Sequence, residues 1–179
     1  MGIFDPAEIA EVELVLLEKL YQAVLIDAFP DRRLEIQDLK TWHRRWLGNL
    51  YDWAGEERSV NLSKGDFHFA AAAQIPRLLE VFERDYLACL TPCRTIAPAR
   101  LAYAIAVTHV ELILIHPFRE GNGRLARLLA DVMAVQAGRD PLDYSLWDSD
   151  KPSYFSAIQT GLTRNYDAMI GLVDQAMGQ

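Results

Sequence analysis

The 179-residue chain sets 18 Lys and Arg against 25 Asp and Glu, a formal net charge of −7, with 51% of its residues hydrophobic and 24% charged. That is one domain's length, apolar enough to bury a core unaided, and it excludes both a disordered chain and one with general affinity for nucleic-acid phosphates. Two cysteines, Cys89 and Cys93, are too few for a disulfide framework and match no zinc or CxxC spacing, so both read as reduced thiols.

The first twenty residues carry no basic leader and no small-residue cleavage site, which predicts a cytoplasmic protein. Apolar residues at helical spacing (Ile9, Val12, Leu16, Leu20, Val24) predict a helix over 7–29, stopped by Phe29-Pro30-Asp31. A second helix is expected over 36–53, with Leu39, Trp42, Trp46, Leu50 and Trp53 on one stripe and Gly55 as terminator. The period then changes. Val60 and Leu62 alternate with polar residues, Lys64-Gly65-Asp66 supplies a turn, and Phe67 and Phe69 alternate again, so 58–69 reads as an isolated β-hairpin. Helices follow over 71–90, 99–115, 123–137 and 154–177. The run over 101–115 is shorter than the roughly 20 residues of a membrane helix, and Thr108, His109 and Glu111 interrupt it, so it is expected at the centre of the fold rather than in a membrane. No linker or repeat divides residues 1–179, and the fold class predicted is an all-α bundle with one short hairpin.

The segment joining the central helix to the next one concentrates the chemistry: His116-Pro117-Phe118-Arg119-Glu120-Gly121-Asn122-Gly123-Arg124-Leu125-Ala126-Arg127. A Gly-Asn-Gly turn at a helix start aims backbone N–H groups at an anion, and the helix dipole adds to the attraction. Arg124 and Arg127 stand in the first turn, where cations are disfavoured unless an anion offsets them. Glu120 beside a phosphate site suits Mg²⁺, which takes one or two carboxylates together with phosphate oxygens. His116 is the nearby group able to act as a base near neutral pH. The competing reading has a capped histidine, an ordinary turn, and Arg127 paired with Asp131 at i+4.

This segment resembles the signature of the Fic family, HxFx(D/E)GNGRxxR, with every defined position matched. Leu50-Tyr51-Asp52-Trp53-Ala54-Gly55 and Arg58-Ser59-Val60-Asn61-Leu62-Ser63-Lys64 resemble the family's WAG helix end and flap hairpin, so the likeness covers about 36–170. The resemblance implies a Fic-type bundle that transfers AMP from ATP to a Ser, Thr or Tyr hydroxyl of a target protein, releasing pyrophosphate. In it His116 deprotonates the target, Glu120 holds Mg²⁺, and Gly121, Asn122 and Gly123 cradle the phosphates. Arg124 holds the β-phosphate region and Arg127 the γ-phosphate, while Phe118 anchors the loop. The flap, Asn61 to Gly65 (Asn61, Leu62, Ser63, Lys64, Gly65), would dock the target as an added strand. Tyr154 and Asn165 are tail candidates for the base and ribose.

Many members are held off by a glutamate in an (S/T)xxxE(G/N) helix that pairs with the second arginine. The N-terminal helix has glutamates but no Ser or Thr four places before one, and Thr163 to Ala168 offers Asp167 in place of Glu. The resemblance therefore implies inhibition in trans by a small antitoxin, and stand-alone domains of this size act on targets that include type II topoisomerase subunits. Two alternatives stand: a Doc-like kinase, whose motif carries lysine where this chain has Gly123, or another nucleotide-moiety transferase on the same fold; and a nucleotide-binding or interaction module without catalysis.

Overall fold

In the computed structural model, which describes residues 5–178, Asp5 opens the first helix by accepting a hydrogen bond from the Ala7 amide, with Pro6 at the position where a missing N–H costs nothing. Helix α1 (Pro6–Tyr21) runs on into a π-helical segment, Gln22–Asp27, together matching the predicted first helix. The second, α2 (Ile36–Leu47), stops earlier than its apolar stripe suggests. The Leu50 and Tyr51 amides both turn back onto the Leu47 carbonyl, which ends the ladder and leaves Leu50 and Trp53 in turns. Gly55 then takes a left-handed φ of +82° against the side of α2.

The hairpin is real and brief: β1 (Ser63–Lys64) pairs antiparallel with β2 (Phe67–His68), Ser63 opposite His68. The Phe69 amide still reaches the Leu62 carbonyl, and beyond that pair the legs bond to the bundle, the Arg58 amide to the Pro117 carbonyl and the Ala70 amide to the Leu114 carbonyl. Helix α3 (Ile75–Phe82) continues through a π-helical stretch, Glu83–Leu87, into α4 (Ala88–Leu90). Next come α5 (Leu101–Ile115) and α6 (Asn122–Gln136), close to prediction. The tail is not one helix. It divides into α7 (Ser145–Ser149), α8 (Lys151–Thr160) and α9 (Asp167–Ala176), with Arg164 left-handed at the break. Gly161 sits where a Cβ would lie 2.3 Å from Val110, so the tail crosses α5 at a distance only glycine permits.

Helix α5 is the axis of the fold. All its residues but Tyr103, Glu111 and Leu114 are buried, and α6 and α9 make its closest packing. The stretch Pro98–Ile115 is long and apolar enough to cross a membrane by composition, and its burial among the other helices explains that apolarity.

The end of α6 is tied to two distant segments by the buried Gln136. Its Nε2 donates to the Pro30 and Arg32 carbonyls at 2.7 and 2.8 Å, and its Oε1 accepts from the Cys93 amide at 3.0 Å. Replacing it with leucine keeps the volume and strands three backbone groups. Gln136→Leu is expected to cost about 2–4 kcal/mol, read as a lowered midpoint in urea unfolding.

Candidate active site

The site begins where α5 ends. His116 caps the helix in a left-handed conformation (φ +51°), rare for a residue with a Cβ, and its amide still donates to the Leu112 carbonyl. Its Nδ1 lies 3.2 Å from the Ile113 carbonyl oxygen, which can only accept. The proton therefore sits on Nδ1 and leaves a lone pair on Nε2. Among the described residues Nε2 has no partner, and no buried polar side-chain atom lacks one, so Nε2 is open to the cavity that His116 lines. The ring stacks on Phe69 at 3.6 Å. Burial, opposed by the Ile113 bond and Glu120 and assisted by Arg58 and Lys64, pulls the imidazole down to about 4, so it is neutral at physiological pH.

The loop after His116 is folded by Asn122. Its Oδ1 accepts from the Phe118 amide and its Nδ2 donates to the Phe118 carbonyl, so this side chain shapes the turn from inside rather than reaching a guest. Phe118 is buried and stacks on His43 at 4.0 Å, the anchor the sequence suggests. Gly121 has φ +79°, and a Cβ there would fall 2.6 Å from the Trp46 ring. The first helical bond of this end is Leu125 N–H to Gly121 O, which leaves the amides of Asn122, Gly123 and Arg124 ahead of the ladder at the positive end of α6. Gly123 faces open space on the cavity wall.

His43, unsuspected from sequence, fixes this loop from behind. The Gly55 amide donates to its Nδ1 at 2.9 Å, so its Nε2 carries the proton and donates to the Glu120 carbonyl at 3.0 Å. Burial lowers its pKa and favours this neutral tautomer. The Glu120 carboxylate is consequently presented outward, 62% exposed, with Oε1 accepting from the Gly121 amide.

Each arginine already holds a carboxylate from outside the motif. Arg124 donates to Glu13 at 2.8 Å and lies 4.5 Å over the Trp46 ring, with Glu120 at 3.5 Å. Glu13 is buried on α1 and also accepts from the Tyr51 hydroxyl. Arg127 takes Asp148 of α7 through both nitrogens, at 2.8 and 3.2 Å, above the Tyr144 ring. The Asp131 pairing offered by i+4 spacing does not form. Asp131 is buried, accepts from the Tyr21 and Tyr144 hydroxyls and the Leu142 amide, and is pushed up to about 6 chiefly by burial.

These groups face a cavity of about 910 Å³ between the flap, the loop and α8. Leu62, Ser63 and Lys64 form its flap wall, and Lys64 Nζ lies 3.7 Å over the Phe155 ring opposite. Glu120 is the one carboxylate on the wall. Tyr154 lines the cavity with its ring. Its hydroxyl donates to His109 Nε2, because the His109 Nδ1–H is given to the Ala126 carbonyl. Three predicted residues are not on the wall. Asn165, two residues ahead of Asp167, accepts from its amide in the turn that leads into α9, Asn61 accepts from the Ala72 amide at the hairpin's foot, and Gly65 turns the hairpin tip in open space. Phe69, marked in the sequence only by the hairpin's alternation, stacks on the general-base candidate itself. No cluster of three metal-ligating side chains occurs among the described residues.

The Fic/DOC family model matches residues 33–134. The chain belongs to this family. It is 30% identical over 142 residues to the probable protein adenylyltransferase y4lH of Sinorhizobium fredii, covering 76% of this chain and 69% of that one. It is also 30% identical over 138 residues to the probable protein adenylyltransferase Fic of Escherichia coli, covering 73% of this chain and 64% of that one. The fold superposes on the N-terminal Fic domain of a VirB-translocated effector from Bartonella sp. AR 15-3, with a TM-score of 0.83 at 20% identity over 99% of this chain and 85% of that one. It superposes also on BepC of Bartonella tribocorum with bound AMPPNP, with a TM-score of 0.76 at 22% identity over 98% and 89%. The all-α bundle with a hairpin flap is thus the Fic fold.

Titration of the histidines tests this geometry. By NMR the His116 imidazole should stay neutral down to about pH 4, against about 6.5 for a free ring. The unfolded chain takes up that proton near pH 6.5, so His116 and the equally depressed His109 withdraw stability as pH falls from about 6.5 toward 4.

Proposed function

We propose that this Fic protein is a protein adenylyltransferase that moves AMP from ATP to a Ser, Thr or Tyr hydroxyl of a target protein. The observation that carries the reading is His116: a neutral ring whose proton is fixed on Nδ1 and whose free Nε2 opens onto the same cavity as the amide-rich start of α6. Nε2 accepts the proton as the target oxygen bonds to the α-phosphorus, and the bond to the bridging oxygen breaks with its electron pair leaving on pyrophosphate. The amides of Asn122, Gly123 and Arg124 and the two guanidinium groups meet the phosphate charge that develops. The AMPPNP bound to the related BepC fold supports ATP as the donor.

Mg²⁺ suits this donor set. An ion that keeps waters and takes phosphate oxygens needs only one or two protein carboxylates, and Glu120 presents one outward on the wall. When bound, it neutralises phosphate charge. The flap wall, with two very short strands and unpaired outer edges, supports docking of the target as an added strand. A reaction that consumes ATP, and a chain with free thiols, suit the cytoplasm.

Control in trans by a small antitoxin is the regulatory reading. Arg124 and Arg127 also border a second groove of about 510 Å³, walled by Leu17, Leu25 and Ile26, where a partner helix could cover apolar surface and present a glutamate to Arg127. Type II topoisomerase subunits are the first targets to try, on the strength of the family resemblance.

The deciding assay incubates the chain and His116→Ala with Mg²⁺, lysate and ATP labelled at either the α- or the γ-phosphate. Label from the α position on a protein, abolished in His116→Ala, is expected. Label from the γ position alone would make the chain a kinase of the Doc type. Because incoming phosphates must displace Asp148 from Arg127, Asp148→Asn is expected to tighten ATP binding by about two- to fivefold, the worth of a rim ion pair, measured by calorimetry.

A further inference from the structure

Arg58 is 2% exposed, and no carboxylate pairs with it among the described residues. A buried cation without a counter-ion is costly unless every donor finds an acceptor and a local dipole offsets the charge. Here the acceptors are all backbone carbonyls. Nε donates to His116 O at 2.7 Å, Nη1 to Val60 O at 2.6 Å, and Nη2 to Ala70 O at 2.6 Å and Ile115 O at 3.3 Å. The charge rests on the C-terminal, negative end of α5.

These four carbonyls belong to two functional parts. Ile115 and His116 are the end of the axial helix and the base; Val60 and Ala70 are the two legs of the hairpin. The backbone repeats the arrangement, since the Arg58 amide donates to Pro117 O and the Ala70 amide to Leu114 O. We propose that Arg58 is the positioning residue that ties the flap to the general base, so that a target strand docked on the hairpin is set in register with His116 by one rigid guanidinium. A lysine at this place keeps the charge and reaches at most three acceptors from a single point, so it cannot span both legs and the helix end at once. His116 holds a left-handed conformation that its surroundings must over-determine, and Arg58 bonds to its carbonyl while Ile113 and Phe69 hold its ring.

The inference rests on His116 as base and the hairpin as dock, and its first test needs no activity. In amide hydrogen exchange of the unaltered chain, the Arg58, Ala70 and His116 amides should open as one unit, with protection agreeing within about threefold as urea is added. Flap-leg amides exchanging about tenfold or more faster than His116 would overturn the coupling. The second test is Arg58→Lys, with one AMPPNP bound per chain as proof of a folded site. The expected result is wild-type AMPPNP affinity, a raised KM for the protein target and AMP transfer down about 100-fold, the scale of a 1 Å misplacement. A residue serving stability alone would lower the unfolding midpoint and leave the target KM unchanged. Transfer within about threefold of wild type would overturn the proposal, as would loss of AMPPNP binding from a folded variant. Should Arg58→Lys not fold, the exchange result decides. If the unaltered chain transfers no AMP, the adenylyltransferase reading falls and exchange still judges the coupling.

Discussion

A buried helix that ends inside a protein leaves carbonyl groups that water cannot reach, and much of this site is an answer to that problem at the end of α5. The last turn has its Leu112 carbonyl met by the His116 amide, Ile113 by the His116 ring, Leu114 by the Ala70 amide and Ile115 by Arg58. Each group that satisfies a carbonyl is thereby positioned by it. His116 acquires its tautomer, the hairpin acquires its footing, and the apolar helix acquires an end, all from one set of hydrogen bonds. The chemistry of the site is thus inseparable from the capping of its axial helix.

The opposite polarity governs the next helix. Helix α6 starts with free amides and two arginines, an excess of positive charge. The fold offsets that excess internally, with Glu13 on Arg124 and Asp148 on Arg127. The two acids differ in setting: Glu13 is buried and held also by Tyr51, whereas Asp148 is half exposed at the rim. On the proposed reading, a phosphate at Arg127 would meet a weak, solvent-screened competitor, and one at Arg124 a firm one.

Much of the helical framework was readable because burial imposes a period. The stripe Leu125, Leu128, Leu129, Val132 and the continuous apolar run of α5 are where packing requires them. The pattern misled where a turn carries the stripe onward without a helix, as at Leu50 and Trp53, and where a helix breaks for a close crossing, as at Gly161. The hairpin's alternation overstated its length because its legs turn to the bundle, the Arg58 amide bonding to Pro117 O and the Ala70 amide to Leu114 O. Within the site, local signals brought out His116, Glu120, Gly121 and Gly123, which the fold gathers on one cavity wall. Asn165 and Asn61 lie off the wall with their side chains bonded to backbone amides, because an asparagine that serves the backbone and one that serves a ligand are identical in sequence.

By itself the sequence determined the chemical inventory of residues 116–127, their order, and the helix-loop-helix that presents them, since these depend on neighbours within a few turns. Tertiary structure alone decided what those residues are joined to. Glu13 and Arg124 lie 111 positions apart, His43 and Glu120 77 apart, and Arg58 and His116 58 apart. No local period records such pairs, because each forms only when the bundle closes and buried donors and acceptors have no water left to choose instead.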